Sequence, residues 1–281
     1  MLDSKLTKKL LDTVYAQPRS MDELSKCIGK NWRTTDRYVQ KIIEETGELG
    51  LKTFREGTRG ALKIVYFKNI AKLSSNQFQD VLLHQITDGK QKEDFSPFDI
   101  YQYIDDPKRK AYLIGCSQSD QKFFKDFEAA KNQILVFSGN MSWINFKCGE
   151  QSGQKVLEKI SPSTSIKIIT RIDFAGQQNI EDGLKINLRN KKESIEIRHC
   201  YQPLRGYIID DKLARFWETK VPMKYKKGEL KEEVTLFYEI YDPEWIDWLK
   251  KLFWNLFSSG IPAQKRIDDI KSIKELKVQK I

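Results

Sequence analysis

Between residues 32 and 46, Thr35, Val39, Ile42 and Ile43 form an apolar stripe at helical spacing, and Arg33, Thr34, Arg37, Tyr38 and Lys41 fall on the opposite side. Guanidinium, ammonium, hydroxyl and phenol groups on one face can grip phosphate oxygens and reach base edges. A second basic and hydroxylated group, Arg55, Thr58 and Arg59, surrounds the glycine-bounded stretch Gly57 to Gly60. A third pattern is Arg205 and Asp210, separated by four residues across Gly206-Tyr207-Ile208-Ile209. A guanidinium offers paired donors to a phosphate or small anion, and the acid can orient it. The same two residues can also form a plain ion pair at a strand end. With only two histidines, His84 and His199, and four cysteines, none in a C-x-x-C pair, a multi-histidine metal site and a zinc ribbon are excluded. No cofactor is expected.

The elements that must position the first group are short and well punctuated. Leu6, Leu10, Leu11 and Val14 predict a helix over residues 3–16, ended by Gln17-Pro18 because proline pushes its predecessor out of the α region. Ser20-Met21-Asp22-Glu23 is a capping box opening a second helix that stops at Gly29, and Asn31 caps the third. Two strands follow over 51–55 and 61–67, joined by a glycine-containing reversal. Three helices and a hairpin, with a short turn between the second and third helices and Arg55 and Arg59 at the hairpin tip, resemble the winged helix-turn-helix superfamily. The resemblance covers about 70 residues. It implies that the third helix enters the major groove of DNA while the wing touches backbone or minor groove. Use of the same fold for protein contacts is the plainer alternative, and Tyr38 can equally pack on the scaffold.

Beyond residue 70 the spacing predicts a linker helix over 71–89, begun at Ser74 and carrying Phe78, Val81, Leu82 and Ile86; such a helix can pair with its twin in a second chain. His84 beside that stripe reads as a packing or surface residue. The whole stretch 71–132 reads as a helical region, with a short helix after Ser96-Pro97 and another over 119–132. From residue 133 strands and helices alternate: strands over 134–138, 165–172, 194–197, 206–210, 214–218 and 234–241, helices over 153–160, 180–188 and 243–257. The last of these is apolar nearly all round, from Trp245 to Phe257, so it must be buried; a core helix and a dimer interface are the two readings.

Pro203-Leu204-Arg205-Gly206-Tyr207-Ile208-Ile209-Asp210-Asp211 is similar to the signature of the phospholipase D superfamily, His-x-Lys-x4-Asp. In that resemblance Arg205 takes the lysine position that holds phosphate oxygens and Asp210 the acid position, but Pro203 stands where the nucleophilic histidine belongs. The Gly-Ser and Asn that usually follow are replaced in Ala214-Arg215-Phe216-Trp217-Glu218-Thr219-Lys220. His199 is four residues upstream of Pro203, the wrong spacing for a displaced nucleophile, and a structural role is the better reading. The resemblance covers roughly residues 130–258 and implies the fold without the chemistry, with Arg205 and Asp210 left as a possible anion-binding pair. A winged helix joined to such a domain is similar to archaeal TrmB-type transcriptional regulators.

Charge sets the remaining expectations. The net charge is +10 over 281 residues, and it is terminal: residues 1–70 carry 14 Lys and Arg against 9 Asp and Glu, and residues 263–281 carry 6 against 3. An acidic partner such as DNA fits that distribution. No run reaches the roughly 18 to 20 apolar residues of a spanning helix, and residues 1–17 lack an apolar signal core, so a cytoplasmic, nucleoid-associated protein with no membrane partner is expected. The expected architecture is an α+β winged helix-turn-helix domain (1–70), a helical linker region (71–132), an α/β phospholipase D-like domain (133–260) and a basic tail (261–281). The expected function is a homodimeric DNA-binding transcriptional regulator with a catalytically silent dimerisation and sensing domain, open to a small-molecule or anionic effector. The rivals are a phospholipase D-type phosphodiesterase or nuclease and a chromatin-like structural DNA-binding protein.

Overall fold

The structure, a computed structural model, describes residues 4–55, 61–68, 75–114, 116–148, 150–161, 163–190, 194–221, 230 and 232–278. Its N-terminal unit runs α1 (Ser4–Ala16), β1 (Arg19–Ser20), α2 (Met21–Ile28), α3 (Trp32–Thr46), β2 (Leu49–Arg55) and β3 (Ala61–Phe67). The three strands form an antiparallel sheet in the order β1-β3-β2. Local chemistry accounts for these boundaries. The Ser20 hydroxyl accepts from the Glu23 amide at 3.2 Å and the Glu23 carboxylate accepts from the Ser20 amide at 2.7 Å, the reciprocal box expected at the start of α2. Asn31 Oδ1 accepts from the Thr34 amide at 2.9 Å and opens α3. Leu10, Val14, Met21, Leu24, Val39, Ile42, Leu49 and Val65 close one small core between the helices and one face of the sheet.

The rest of the chain comprises α4 (Ser75–Asp88), α5 (Phe98–Tyr101), β4 (Arg109–Ile114), α6 (Cys116–Ala129), β5 (Gln133–Phe137), β6 (Lys147–Cys148), β7 (Gln151–Ser152), α7 (Gly153–Lys159), β8 (Ser165–Thr170), α8 (Gln177–Asn190), β9 (Ile195–His199), β10 (Gly206–Ile209), β11 (Leu213–Lys220), β12 (Val234–Ile240), α9 (Pro243–Ser259), β13 (Ile261–Pro262) and α10 (Ala263–Val278). Eight strands build one mixed sheet in the order β13-β9-β8-β5-β10-β11-β12-β4. Strands β5, β8 and β9 are parallel, and β10, β11, β12 and β4 continue as an antiparallel series. Alternation along each strand feeds two cores. Ile134 and Val136 of β5 join Phe123, Phe127, Val156, Ile180 and Ile267 under α6, α7, α8 and α10. Leu135 and Phe137 face the other way, onto Leu249, Leu252 and Phe253 of α9 and onto Leu82 and Ile86 of α4. The result is a three-layer mixed α/β arrangement.

Several expectations change. Residues 109–114, read as part of a helical linker region, form β4, an edge strand of the large sheet paired with β12. Residues 261–262 pair with β9, and Ala263, Ile267 and Ile270 are buried in the core, so the described part of the basic tail is an integral strand and helix. The linker helix begins at Ser75; residues 71–74, with the expected Ser74 start, lie outside the described residues. It presents Leu82 and Ile86 to α9 of its own chain, while Val81 is exposed. His84 is exposed, as a surface residue would be. The apolar residues of α9 are spent within one chain: Trp245, Ile246, Leu249, Leu252, Phe253, Leu256 and Phe257 are all buried between the sheet and α4. At about 1.5 to 3 kcal/mol per fully buried large side chain, this packing needs no second copy to explain it.

The N-terminal hairpin is not free on its outer face. Phe54, Leu62, Ile64 and Tyr66 pack against Phe98, Tyr101, Val234, Leu236 and Tyr238. Phe98 lies edge-on to Tyr66 and Tyr238, with centroids 5.4 and 5.9 Å apart, and the Arg109 guanidinium sits 4.5 Å from the Tyr101 ring centroid. This aromatic seam joins the two units.

Candidate functional site

Two surfaces hold the residues singled out from the sequence. On α3, Arg33 and Arg37 are exposed, and neither has a carboxylate partner among the described residues. Thr34, Tyr38 and Lys41 are partly buried on the same helix. Tyr38 packs against the three-helix core, so its ring belongs to the scaffold. Lys41 lies 3.5 Å from Glu45, one turn on. Behind this face Lys63 is tied to Asp36 at 2.7 Å and lies 4.9 Å from the Trp32 ring centroid, which anchors α3 to the hairpin. Arg55 is exposed at the end of β2; Thr58 and Arg59 lie outside the described residues. The α3 face therefore offers two solvated, unneutralised guanidiniums four residues apart.

The second surface lies at the carboxyl ends of β5, β8 and β9, the edge of a parallel sheet where ligands commonly bind. Strand β10 is antiparallel to β5, so it starts at this edge and places Arg205 beside Ser138 and Gly139. A Cβ at residue 139 would come within 2.8 Å of Arg205 Nε and 2.9 Å of Nη2, so only glycine there lets the guanidinium lie on the backbone. Arg205 Nη1 donates to the carbonyls of Gln202 and Leu204 at 3.2 and 2.7 Å. Burial, and then the like charge of Arg171, push its pKa down to about 10, against the pull of Glu93. A guanidinium so placed gains from any anion that comes within reach. Thr170 Oγ1 and Gln202 Oε1 are buried in the same region without a hydrogen-bond partner among the described residues.

Asp210 is not part of this crevice. It stands at the far end of β10, and five residues at roughly 3.3 Å each separate it from Arg205 by about 16 Å. Its carboxylate accepts the amides of Lys131, Asn132 and Gln133, which outweigh burial and hold its pKa below the ordinary value. The expected Arg205–Asp210 pair does not form, because a strand carries its two ends apart. Pro203 is buried under the end of α4: a Cβ at Gly89 would come within 2.9 Å of its ring. His199 is buried too, and its Nδ1 accepts from the Ile172 amide at 2.9 Å. Burial and the Arg266 charge keep its pKa below the ordinary value. A neutral imidazole with Nδ1 occupied is a packing element.

Sequence reasoning missed a third cluster. Under α6, Arg215 is bonded to Asp126, Tyr207 and Glu239, and Glu239 also accepts from Lys122, Tyr112 and Tyr241. Burial alone would raise the Glu239 carboxyl, but those bonds and the Arg215 charge bring it down to about 2. The available signal was a charged residue inside each of two apolar strands, Ala214-Arg215-Phe216 and Tyr238-Glu239-Ile240. Two cations and two anions close on one another here, which makes the cluster a buried structural network. Among the described residues no group of three or more His, Cys, Asp or Glu could hold a metal ion, and no helix is long and apolar enough to cross a membrane.

No protein-family model matches the chain, and no curated protein does. Solved structures similar to it include NucT from Helicobacter pylori, with 13% identity, a TM-score of 0.40, and coverage of 55% of this chain and 99% of that one. Another is TrmBL2, an archaeal chromatin protein, with 13% identity, a TM-score of 0.39, and coverage of 92% of this chain and 93% of that one. A third is Nuc from Salmonella typhimurium, a phospholipase D family member, with 12% identity, a TM-score of 0.39, and coverage of 55% and 96%.

Proposed function

We propose that the chain is a DNA-binding transcriptional regulator, in which the N-terminal unit acts as a winged helix-turn-helix reading head and the large-sheet unit is a catalytically silent sensing domain. The observation that carries this reading is the α3 face, where Arg33 and Arg37 stand exposed and unneutralised on a helix whose other side is locked into the core. Such a helix projects cations at a spacing that matches phosphates and base edges in a major groove. Silence of the second domain is supported by Pro203, which has no lone pair to attack phosphorus, and by His199, whose Nδ1 is already engaged. A homodimer would supply two half-sites; α9, spent inside its own chain, no longer argues for it, and sedimentation of the full chain decides it.

The test is a shift titration on duplexes enriched by the protein from a random pool. Arg37→Ala is expected to lose about 1 to 3 kcal/mol on enriched duplexes and less on scrambled ones. Equal binding by wild type and variant would remove the α3 face from the DNA-binding role. Indifference of the wild type to sequence would favour a structural DNA coater, and cleavage of DNA or a phosphodiester chromogen would favour the enzyme reading.

A further inference from the structure

Between the two units, where α4 leaves the hairpin side and α5 meets the seam, lies a cavity of about 700 Å³. Its apolar walls come from both units: Phe67 from β3, Phe78 from α4, and Phe95 and Tyr103 from the segments flanking α5. Phe78 and Tyr103 are stacked, with centroids 4.2 Å apart. Its acidic groups are Asp88, Asp94 and Asp99, and among the described lining residues there is neither a lysine nor an arginine. In a chain with 49 Lys and Arg against 39 Asp and Glu, a half-open space with three acids and, among its described lining residues, no cation is a local reversal of charge, with Arg19 and Lys220 reaching Asp99 only from the adjoining crevice. Volume and lining match a small-molecule site, in which an apolar body is held by aromatic walls and orientation is set by a few polar groups.

We infer that this cavity binds an organic cation with an aromatic or apolar body, its ammonium group paired with Asp99 and Asp94. Asp94 is already ordered for the task. Its Oδ2 accepts the Lys90 and Gln91 amides at 2.8 and 2.9 Å, which holds the carboxylate ionised below its ordinary pKa. Asp99 faces a mixed set of groups: Glu218 and Lys220 of β11, Asp94 of the loop, and Arg19 and Glu23 of the N-terminal unit, which share an adjoining crevice with it. Glu218 is engaged by Ser96, Tyr238 and Lys220, and Arg19 by Glu23. Burial, then Glu218, raise the Asp99 carboxyl to about 7. An ammonium group beside it displaces that proton, so binding strengthens as pH rises through that value. The aromatic walls add cation–π attraction. Because both units line the cavity, an occupant ties them together, and the loop that carries Asp94 also runs from Gly89, which sits on Pro203 beside the Arg205 crevice.

The experiment is calorimetric titration of the full chain with tryptamine, phenethylamine and benzylamine, set against tryptophol and indole-3-acetate as the neutral and anionic counterparts of the first. The expected result is one saturable site per chain, at least tenfold tighter for tryptamine than for tryptophol, with affinity rising between about pH 6 and about pH 8. Asp99→Asn, which keeps the shape, is expected to abolish the preference for the amine. Gln85→Trp, on the exposed side of α4 at the cavity wall, is expected to block the site without unfolding the chain. The inference is overturned if none of the three amines binds saturably at millimolar concentration, if tryptophol binds as well as tryptamine, or if both variants retain wild-type binding.

Discussion

Arg37 on α3 and Arg215 on β11 carry the same guanidinium into opposite settings. Arg37 stands in solvent with no carboxylate partner among the described residues, whereas Arg215 is sealed under α6 between Asp126 and Glu239. Arg205 is intermediate: half-buried, beside a second cation, and donating only to backbone carbonyls among the described residues. The difference teaches what each can do. A solvated cation keeps its hydration until a polyanion displaces counterions, so it serves reach and salt-dependent affinity. A sealed, neutralised cation is spent on the fold. A desolvated cation without a full partner has unmet demand, and that demand suits a compact anion.

Breaking the sealed arginine should have the largest effect. Arg215→Met leaves the half-buried Asp126 without its cation and the buried Glu239 with Lys122 alone, and is expected to cost about 3 to 5 kcal/mol in urea unfolding. A loss below about 1 kcal/mol would show that the network is not closed. Next comes Asp99, whose sign is reversed. Its folded pKa of about 7 lies above its unfolded value of 3.8, so the folded state holds the proton between those limits. Its contribution is therefore present below about pH 4 and lost as pH rises through about 7. Asp99→Asn is expected to stabilise the chain at pH 8 by up to about 4 kcal/mol and to change little at pH 4. Equal effects at both pH values would contradict the buried-acid account.

Arg205 is tested by sulfate. At ten times its dissociation constant, sulfate should stabilise the wild type by about 1.4 kcal/mol, read as a rise in melting temperature. Arg205→Ala is expected to lose that rise, and Gly139→Ala to weaken it by displacing the guanidinium; retention of the full rise in both would place sulfate elsewhere. The smallest effect is expected for the stability of Arg37→Ala, within about 0.5 kcal/mol of wild type, because an exposed side chain without a partner supports no fold contact. A larger loss would mean that this residue serves the scaffold.

The parts of the molecule governed by local rules were legible beforehand. The α2 capping box, the Asn31 cap and the apolar stripe of α3 depend on neighbours within four residues, so the exposed placement of Arg33 and Arg37 followed from spacing alone. The parts governed by sheet order were not. Spacing put Arg205 and Asp210 near each other in the chain, but β10 carries them to opposite ends. Strand β4 was missed because Arg109-Lys110 leads into only a short apolar run, and pairing with β12, far along the chain, is what makes it a strand. Helix α9 shows the all-round apolarity of an interface helix because it lies between a sheet and α4. The Arg215 network draws on α6 and four strands, and the cavity at Asp99 draws on both units, so neither leaves a compact motif to read.

The proposed reading head is tested most directly by the salt dependence of DNA binding, measured for wild type and for the Arg33→Ala/Arg37→Ala double variant on one enriched duplex. Each cation that replaces a counterion at a phosphate adds close to one to the slope of log K against log salt. The double variant is expected to bind more weakly at every salt concentration and to show a slope shallower by about 1 to 2. Superimposable lines for the two proteins would contradict a DNA-binding role for the α3 face.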